Sequence, residues 1–419
     1  MRVRTWHTIL ALTAVSFAVV LAEIPRDTWT TGSALSLSLG VAAVSLMGTA
    51  AMLGGRWKWV ESLFGGLDHV YRTHKWLGIW ALAFASVHFV FPALLQAWDA
   101  EPIVELPRGA TRLLTQLSFV SLMLIVMLAL NRRIPYRAWR RWHKLSGPLF
   151  LIVVLHWLSF RSPIAIDEPA GLWLAGVSAL GVAAAGYKLL LYPFIASHAE
   201  YRVLGVSPGL AAMHVELAPV GQPLPFEPGQ FGVIRVNEEG LREPHPFTIA
   251  AGAPQGHVHF VIRTLGDYTQ QLIRETTVGM HADLYGPYGR LQRQAGRREV
   301  WIAGGVGVTP FIAWLADEAA RDFDKVTFFY FVTPGREFPG AAVVERLARQ
   351  RGAHFIAVST GPNSPEFTQR FADVTRSADP AQIDVSFCGP KGLLYAVKAR
   401  MRKLGIPAAN LRYEYFDFR

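Results

Sequence analysis

Six apolar segments occupy most of the first 192 residues, at 6–24, 34–53, 76–98, 113–130, 145–160 and 171–192. A hydrocarbon layer about 30 Å thick takes a helix of about 20 apolar residues, so each segment is expected to span a membrane. The rest of the chain is different in kind. Beyond Pro193 come short alternating runs rich in charge, and a chain with 17% charged residues is too polar to consist of membrane helices alone. Equally, 51% apolar residues and a mean hydropathy of +0.25 are too oily for an ordinary soluble enzyme. We therefore expect a membrane domain over 1–195 and a soluble half, which the change of pattern described below divides into 196–295 and 296–419.

The net charge of +10 belongs to the membrane argument. The stretch 131–144 carries Arg132, Arg133, Arg137, Arg140, Arg141 and Lys144 with no acid, and Arg56, Lys58 and Arg72 flank the same side. The opposite loops hold Asp99, Glu101, Glu105, Asp167 and Glu168. Basic loops stay inside, so both chain ends are expected in the cytoplasm, and no nucleic-acid partner is implied. Arg2 and Arg4 before the first segment, with Val20-Leu21-Ala22 after it, also fit a cleaved signal peptide; a retained helix is preferred, and the other spans keep their orientation in either case. The single cysteine, Cys388, rules out an intramolecular disulfide and a thiolate metal cluster.

Ionisable groups inside spans are costly and mark function. His74 and His88 lie on the third segment, His143 and His156 on or beside the fifth, and both segments should run outward from the cytoplasm. A separation of fourteen residues is about 21 Å of helix, which puts one imidazole pair near each face of the bilayer. Two imidazoles from facing helices suit axial ligation of a haem iron from both sides, and a site so closed transfers electrons rather than binding oxygen at iron. Fourteen residues return to within about 40° of the starting face, whereas the thirteen from His143 to His156 miss it by about 140°. Gly147 and Pro148 lie between them, so a bend is expected there.

In the soluble half, alternating runs at 201–205, 212–217, 232–236 and 257–263, separated by Pro and Gly turns, read as a small antiparallel barrel. From residue 299 strands alternate with helices, which implies a parallel doubly wound sheet. Its first strand leads into Gly304-Gly305-Val306-Gly307-Val308-Thr309-Pro310. Such a turn lets backbone amides approach a pyrophosphate, although Pro310 stands where a third glycine is usual.

With these residues in place the chain resembles the NADPH oxidase and ferric reductase superfamily, in particular its prokaryotic NADPH oxidase-like flavocytochromes b. That resemblance implies a six-helix transmembrane haem bundle joined to a ferredoxin–NADP reductase-like module, made of an antiparallel β-barrel FAD domain and an α/β nucleotide domain. It implies two haem b groups, one on His74 and His143 and one on His88 and His156. His245-Pro246-Phe247-Thr248 looks like the flavin motif, and Arg263 with Gly266-Asp267-Tyr268-Thr269 like the turn that holds FAD phosphates. Gly304, Gly305, Gly307, Thr309 and Pro310 resemble the nucleotide loop, and Cys388-Gly389-Pro390 the segment beside the nicotinamide. The aromatic tail from Tyr413 to Arg419 is similar to one that covers the flavin ring, with Phe416 preferred as the stacking residue and Phe418 as the alternative.

The expected activity is transfer of electrons from cytoplasmic NAD(P)H through FAD and both haems to an acceptor outside. Oxygen, giving superoxide, is the first acceptor considered and a ferric or other metal chelate the second; a haem sensor without turnover is a third reading. Pro92 stands one turn beyond His88, where oxygen-reducing members often carry another histidine. Arg336, after the second strand, suits a 2′-phosphate and so favours NADPH over NADH, although Thr333 stands where relatives often have a basic residue. The setting expected is a bacterial inner membrane, with no regulatory subunit; oligomeric state is not legible.

Overall fold

The computed structural model describes residues 3–94, 96, 98–208, 212–252, 254–332, 341–376 and 378–414. The chain divides into two compact units, with the break between Ile195 and Ala196.

The first unit is helical: α1 Thr5–Glu23, α2 Gly32–Leu53, α3 Lys58–Phe64, α4 Leu67–Val90, α5 Arg108–Leu130, α6 Tyr136–His143, α7 Ser146–Ser159 and α8 Pro169–Gly186. A π-helical stretch, Tyr187–Leu191, then leads into α9 Tyr192–Ile195. Helix α2 is the central post, packed by α1, α4 and α8. Small residues make this close approach feasible. A Cβ at Gly48 would stand 2.5 Å from the Val177 carbonyl oxygen of α8, and one at Gly181 would stand 2.8 Å from the Gly48 Cα. Phe150 of α7 closes that crossing, since the Gly181 Cβ would also meet its ring at 2.5 Å. The ring is 3% exposed. Midway between the histidine levels, Phe150 is therefore a packing residue of the α2–α7–α8 contact.

Among the described residues four helices are long and apolar enough to cross a membrane: α1, α2, α5, and α8 with its continuation to Ile195. The other two expected spans differ in instructive ways. Helix α4 has 24 residues but begins at Leu67, well before the expected start, and brings Asp68, Arg72 and Lys75 into its first turns. His69 lies in this helix too. Helix α7 has only 14 residues, about 21 Å of rise. The expected bend in this segment is a break: α6 ends at His143, Lys144 and Leu145 form a turn, and α7 starts at Ser146. Pro148 consequently occupies the first turn of α7, where its missing N–H has no helical partner to lose.

The second unit opens with a closed barrel of β1 His198–Pro208, β2 Ala212–Pro219, β3 Phe231–Val236, β4 His245–Gly252, β5 Val258–Arg263 and β6 His281–Tyr288, in the order β1-β2-β5-β4-β3-β6. Helix α10, Asp267–Glu275, follows β5. Inward residues such as Tyr201, Met213, Ile249, Phe260 and Leu284 fill the interior. The sequence pattern located four of these strands; β4 and β6 lack its clean alternation, and β6 is buried along nearly its whole length.

After the barrel come β7 Arg298–Gly304, α11 Thr309–Ala316, β8 Val326–Phe331, α12 Ala341–Gln350, β9 His354–Val358, α13 Pro365–Arg376, β10 Ile383–Cys388, α14 Lys391–Lys403 and β11 Leu411–Glu414. The five strands form one parallel sheet in the order β11-β10-β7-β8-β9. Its two faces carry separate cores, one built on Trp301, Phe311 and Phe328, the other on Phe329, Phe367 and Phe387. Burial on both faces explains the near-continuous apolar runs of these strands. The order also sets the carboxyl ends of β7 and β10 side by side, where doubly wound sheets bind ligands.

Candidate functional site

Helix α2 orients both histidines of α4. His74 donates from Nδ1 to the carbonyl oxygen of Ala50 at 2.7 Å, and His88 donates from Nδ1 to that of Ser36 at 2.9 Å. A carbonyl only accepts, so each Nδ1 carries the proton and each Nε2 keeps its lone pair. The two helices run antiparallel, and acceptors fourteen residues apart on α2 hold donors fourteen residues apart on α4. Gly40 completes the cradle, because a Cβ there would stand 3.0 Å from Nδ1 of His88.

The partner imidazoles come from the other side. His156 Nδ1 lies 3.2 Å from Thr115 Oγ1 of α5. The Thr115 hydroxyl donates to the Thr111 carbonyl at 2.9 Å, so it accepts from the imidazole and the Nε2 of His156 is again the free nitrogen. His143 lies on Trp139 with ring centroids 5.2 Å apart at 21°; its Nδ1 is buried without a hydrogen-bond partner among the described residues.

The His74 and His143 rings stand 5.9 Å apart, centroid to centroid, at 76°. Two metal–nitrogen bonds of about 2.0 Å and about 1.1 Å from each nitrogen to its ring centre require a span of about 6 Å. The pair thus fits one metal atom between two imidazoles. Helix α4 packs on α2, and α7 on α5 and α8. A Cβ on Gly78, one turn above His74, would meet nothing within 4 Å.

In the barrel, the residues expected at the flavin divide between surface and scaffold. Thr248 is buried opposite Phe231 of β3, while Pro246 and Phe247 are half-buried at the neighbouring positions. His245 stacks on Tyr268 with centroids 4.1 Å apart at 11°, and its Nε2 sits 2.6 Å from Glu243. Tyr268 in turn donates to the Leu241 carbonyl at 2.9 Å. His245 and Tyr268 thus tie β4 to the start of α10. Within the turn, the amides of Leu265 and Gly266 donate to Thr269 Oγ1 at 2.9 and 3.1 Å, and Asp267 Oδ1 accepts from the Tyr268 amide at 2.9 Å. Thr269 and Asp267 shape the turn, which leaves Arg263 as its cationic side chain. A Cβ on Gly305 would stand 3.3 Å from Arg263 Nη1, so the guanidinium rests against the nucleotide loop.

That loop is built for close approach. Gly305 adopts φ +57°, a left-handed conformation that glycine takes without strain. A Cβ on Gly307 would stand 2.2 Å from the Cys388 carbonyl oxygen, and one on Gly304 would stand 2.7 Å from Pro390. The glycines thus let the loop after β7 lie backbone to backbone on Cys388-Gly389-Pro390 after β10. Thr309 donates its hydroxyl to the Val306 carbonyl at 2.8 Å, closing the turn, and Pro310 sits in the first turn of α11, where proline is tolerated. The Cys388 thiol points away from this surface into the core, 2% exposed. Burial, with the Glu414 carboxylate beside it, pushes the thiol well up from its ordinary range.

Sequence reasoning missed Glu414, which is 4% exposed and faces Cys388 across the β10–β11 register. A Cβ on Gly289, at φ +101°, would stand 2.6 Å from its Oε1. Only its place in the aromatic tail hinted at a role. It also missed Gly40, Ser36 and Ala50, since a backbone acceptor has no side-chain signature. Phe416 and Phe418, like Arg336 and Thr333, lie outside the described residues.

Residues 39–154 match the family of ferric reductase like transmembrane components. The toluate 1,2-dioxygenase electron transfer component of Pseudomonas putida is 28% identical over 221 residues, which cover 50% of this chain and 64% of that one. A flavohemoprotein of Burkholderia sp. (strain TH2) is 25% identical over 218 residues, covering 49% of this chain and 55% of the other. The chain thus spans less than two thirds of the length of these curated relatives. Among solved structures, flavohemoglobin from Malassezia yamatoensis, with bound FAD and haem, is 17% identical with a TM-score of 0.51, covering 96% of this chain and 99% of that one. Identity so low shows the fold alone. Together these findings place a match to ferric reductase like transmembrane components at residues 39–154 and a likeness to the two curated relatives over about half of the chain.

Proposed function

We propose that this chain, whose residues 39–154 belong to the ferric-reductase-like transmembrane family, carries electrons from cytoplasmic NAD(P)H across the membrane to an outside acceptor. The observation that carries this reading is the 5.9 Å separation of the His74 and His143 rings, a gap that one metal atom fills. In the proposal His74 and His143 hold the inner haem b, and His88 and His156 the outer one. Helix α4, which falls short of an apolar span in composition, and helix α7, which falls short in length, complete six spans with the other four. NAD(P)H delivers two electrons at once as a hydride, FAD when bound divides them, and each haem takes one at a time.

The chain's own residues have separable tasks. Ala50 and Ser36 fix the tautomers of His74 and His88, so the nitrogens facing the gap are always the unprotonated ones. Pro246 and Phe247 line the flavin surface, Arg263 neutralises phosphate charge, and the amides around Gly304–Gly307 meet the nucleotide. The loop's contact with Cys388-Gly389-Pro390 fixes the nicotinamide pocket. Phe416, or Phe418, covers the flavin and moves aside for the nucleotide.

For the acceptor, oxygen and a ferric chelate remain two proposals, the second favoured by the family description of the transmembrane component. Proteoliposomes holding a ferric chelate inside and given NADPH or NADH outside decide the matter. Lumenal iron reduction supports the ferric reading, superoxide without iron reduction supports the oxidase reading, and oxidation of neither nucleotide contradicts both.

A further inference from the structure

Among the charged groups of the helical unit, Lys188 has no explanation in the scheme above. It lies in the π-helical stretch Tyr187–Leu191, a distortion that often marks a functional position because it turns one side chain out of register. Its neighbours Leu189, Leu190 and Leu191 are exposed, as lipid-facing residues are. The Lys188 ammonium points the other way: its Nζ is buried and has no hydrogen-bond partner among the described residues. One face rests 3.3 Å from the centre of the Tyr192 ring, a cation–π contact that leaves its N–H donors unused. Among the described residues the charged groups that act on it are Arg56 and Arg140, both cations. An ammonium buried among cations is costly unless an anion joins it.

Position says which anion. Arg140 precedes His143 by three residues on α6, and Tyr71 precedes His74 by three on α4. Arg56 donates from Nε to the Tyr71 hydroxyl at 2.5 Å and lies 6.0 Å from the Tyr192 ring. Leu189, next to Lys188, approaches Gly147 just past His143 so closely that a Cβ there would stand 2.9 Å from it. Lys188 therefore sits about one helical turn to the cytoplasmic side of the His74–His143 pair, facing the interior of the bundle rather than the headgroups.

We propose that Lys188, with Arg140 beside it, is a carboxylate-binding site at the cytoplasmic edge of the His74–His143 pair, and that its ligand is a propionate of the haem held there. The inference rests on the haem reading of the preceding subsection. Lys188 is a positioning residue: its charge orients the porphyrin about the iron axis and stabilises the electron-rich, reduced form.

The test is a redox titration of both haems in the purified holoprotein in detergent free of anionic lipid, joined to resonance Raman spectra of the propionate-bending bands. In Lys188→Met the inner haem should become about tenfold harder to reduce, a midpoint about 59 mV lower for one electron. Its propionate band should move, the outer haem should be unaffected, and Lys188→Arg should restore both signals. An unchanged midpoint and band in Lys188→Met overturns the inference while the haem reading stands. A shift that appears only in nanodiscs containing phosphatidylglycerol assigns Lys188 to a lipid phosphate and also overturns it. Absence of a bis-histidine haem signal in the wild type removes the haem reading and this inference together.

Discussion

His74 and His143, from α4 and the end of α6, face each other with ring centroids 5.9 Å apart at 76°. Among the described residues only one of them is held by a backbone acceptor: His74 donates to Ala50, whereas the buried Nδ1 of His143 has no hydrogen-bond partner there. Replacing either by leucine should remove the inner haem and stop transmembrane transfer, while reduction of a soluble dye by the flavin continues. Haem content by pyridine haemochrome, beside dye reduction, checks this; full haem content in both variants contradicts the assignment.

Gly40 tests the outer level without touching a ligand. A Cβ there would press on the His88 ring from 3.0 Å, so Gly40→Val should lower outer-haem occupancy or rotate its axial imidazole. Overpacking of this kind costs about 1–3 kcal/mol. The low-spin EPR signal of the outer haem should change while the inner signal keeps its wild-type shape.

Gly307→Ala addresses the nucleotide loop. The added methyl would stand 2.2 Å from the Cys388 carbonyl oxygen, a backbone atom that cannot rotate away. We expect KM for the nucleotide to rise at least several-fold, with loss of about 1–3 kcal/mol of stability and FAD content unchanged. Wild-type KM in this variant would show that the loop does not set the nucleotide site.

Cys388 gives a pH dependence. Its thiol is pushed well up in the folded chain, so above the ordinary thiol pKa of about 8.5 the unfolded chain loses a proton that the folded one keeps. The folded state then binds more protons, and stability must fall as pH rises, by up to about 1.4 kcal/mol per unit. Denaturant titrations from pH 8 to 10 should show this slope, and Cys388→Ala should lack this contribution. The folded thiol should also resist maleimide.

Much of this was legible in the sequence, because the governing signals are local. Membrane helices show as apolar runs, the β7–α11 turn as clustered glycines, and the histidine levels as equal spacing along two segments. What escaped depends on partners distant in the chain. The spacing predicts one bent helix from His143 to His156, but a turn at Lys144 and Leu145 separates α6 from α7, and Pro148 then falls harmlessly into a first turn. The stack of His245 on Tyr268 and the contact of its Nε2 with Glu243 join residues that belong to separate motifs. Cys388 has its backbone at the nucleotide loop and its thiol in the core, a division of roles within one residue that no motif expresses. The acceptors Ala50 and Ser36 use only main-chain atoms and therefore left no trace in residue type.

The central claim is that two haems, one per histidine pair, link a cytoplasmic flavin to the far side of the membrane. Anaerobic stopped-flow mixing of the purified protein with NADPH or NADH tests it most directly. The account requires flavin reduction first, then reduction of two spectrally resolved haems per chain, with only the inner haem lost in His74→Leu. A wild-type protein with a single haem, or with haems that stay oxidised after the flavin is reduced, contradicts it.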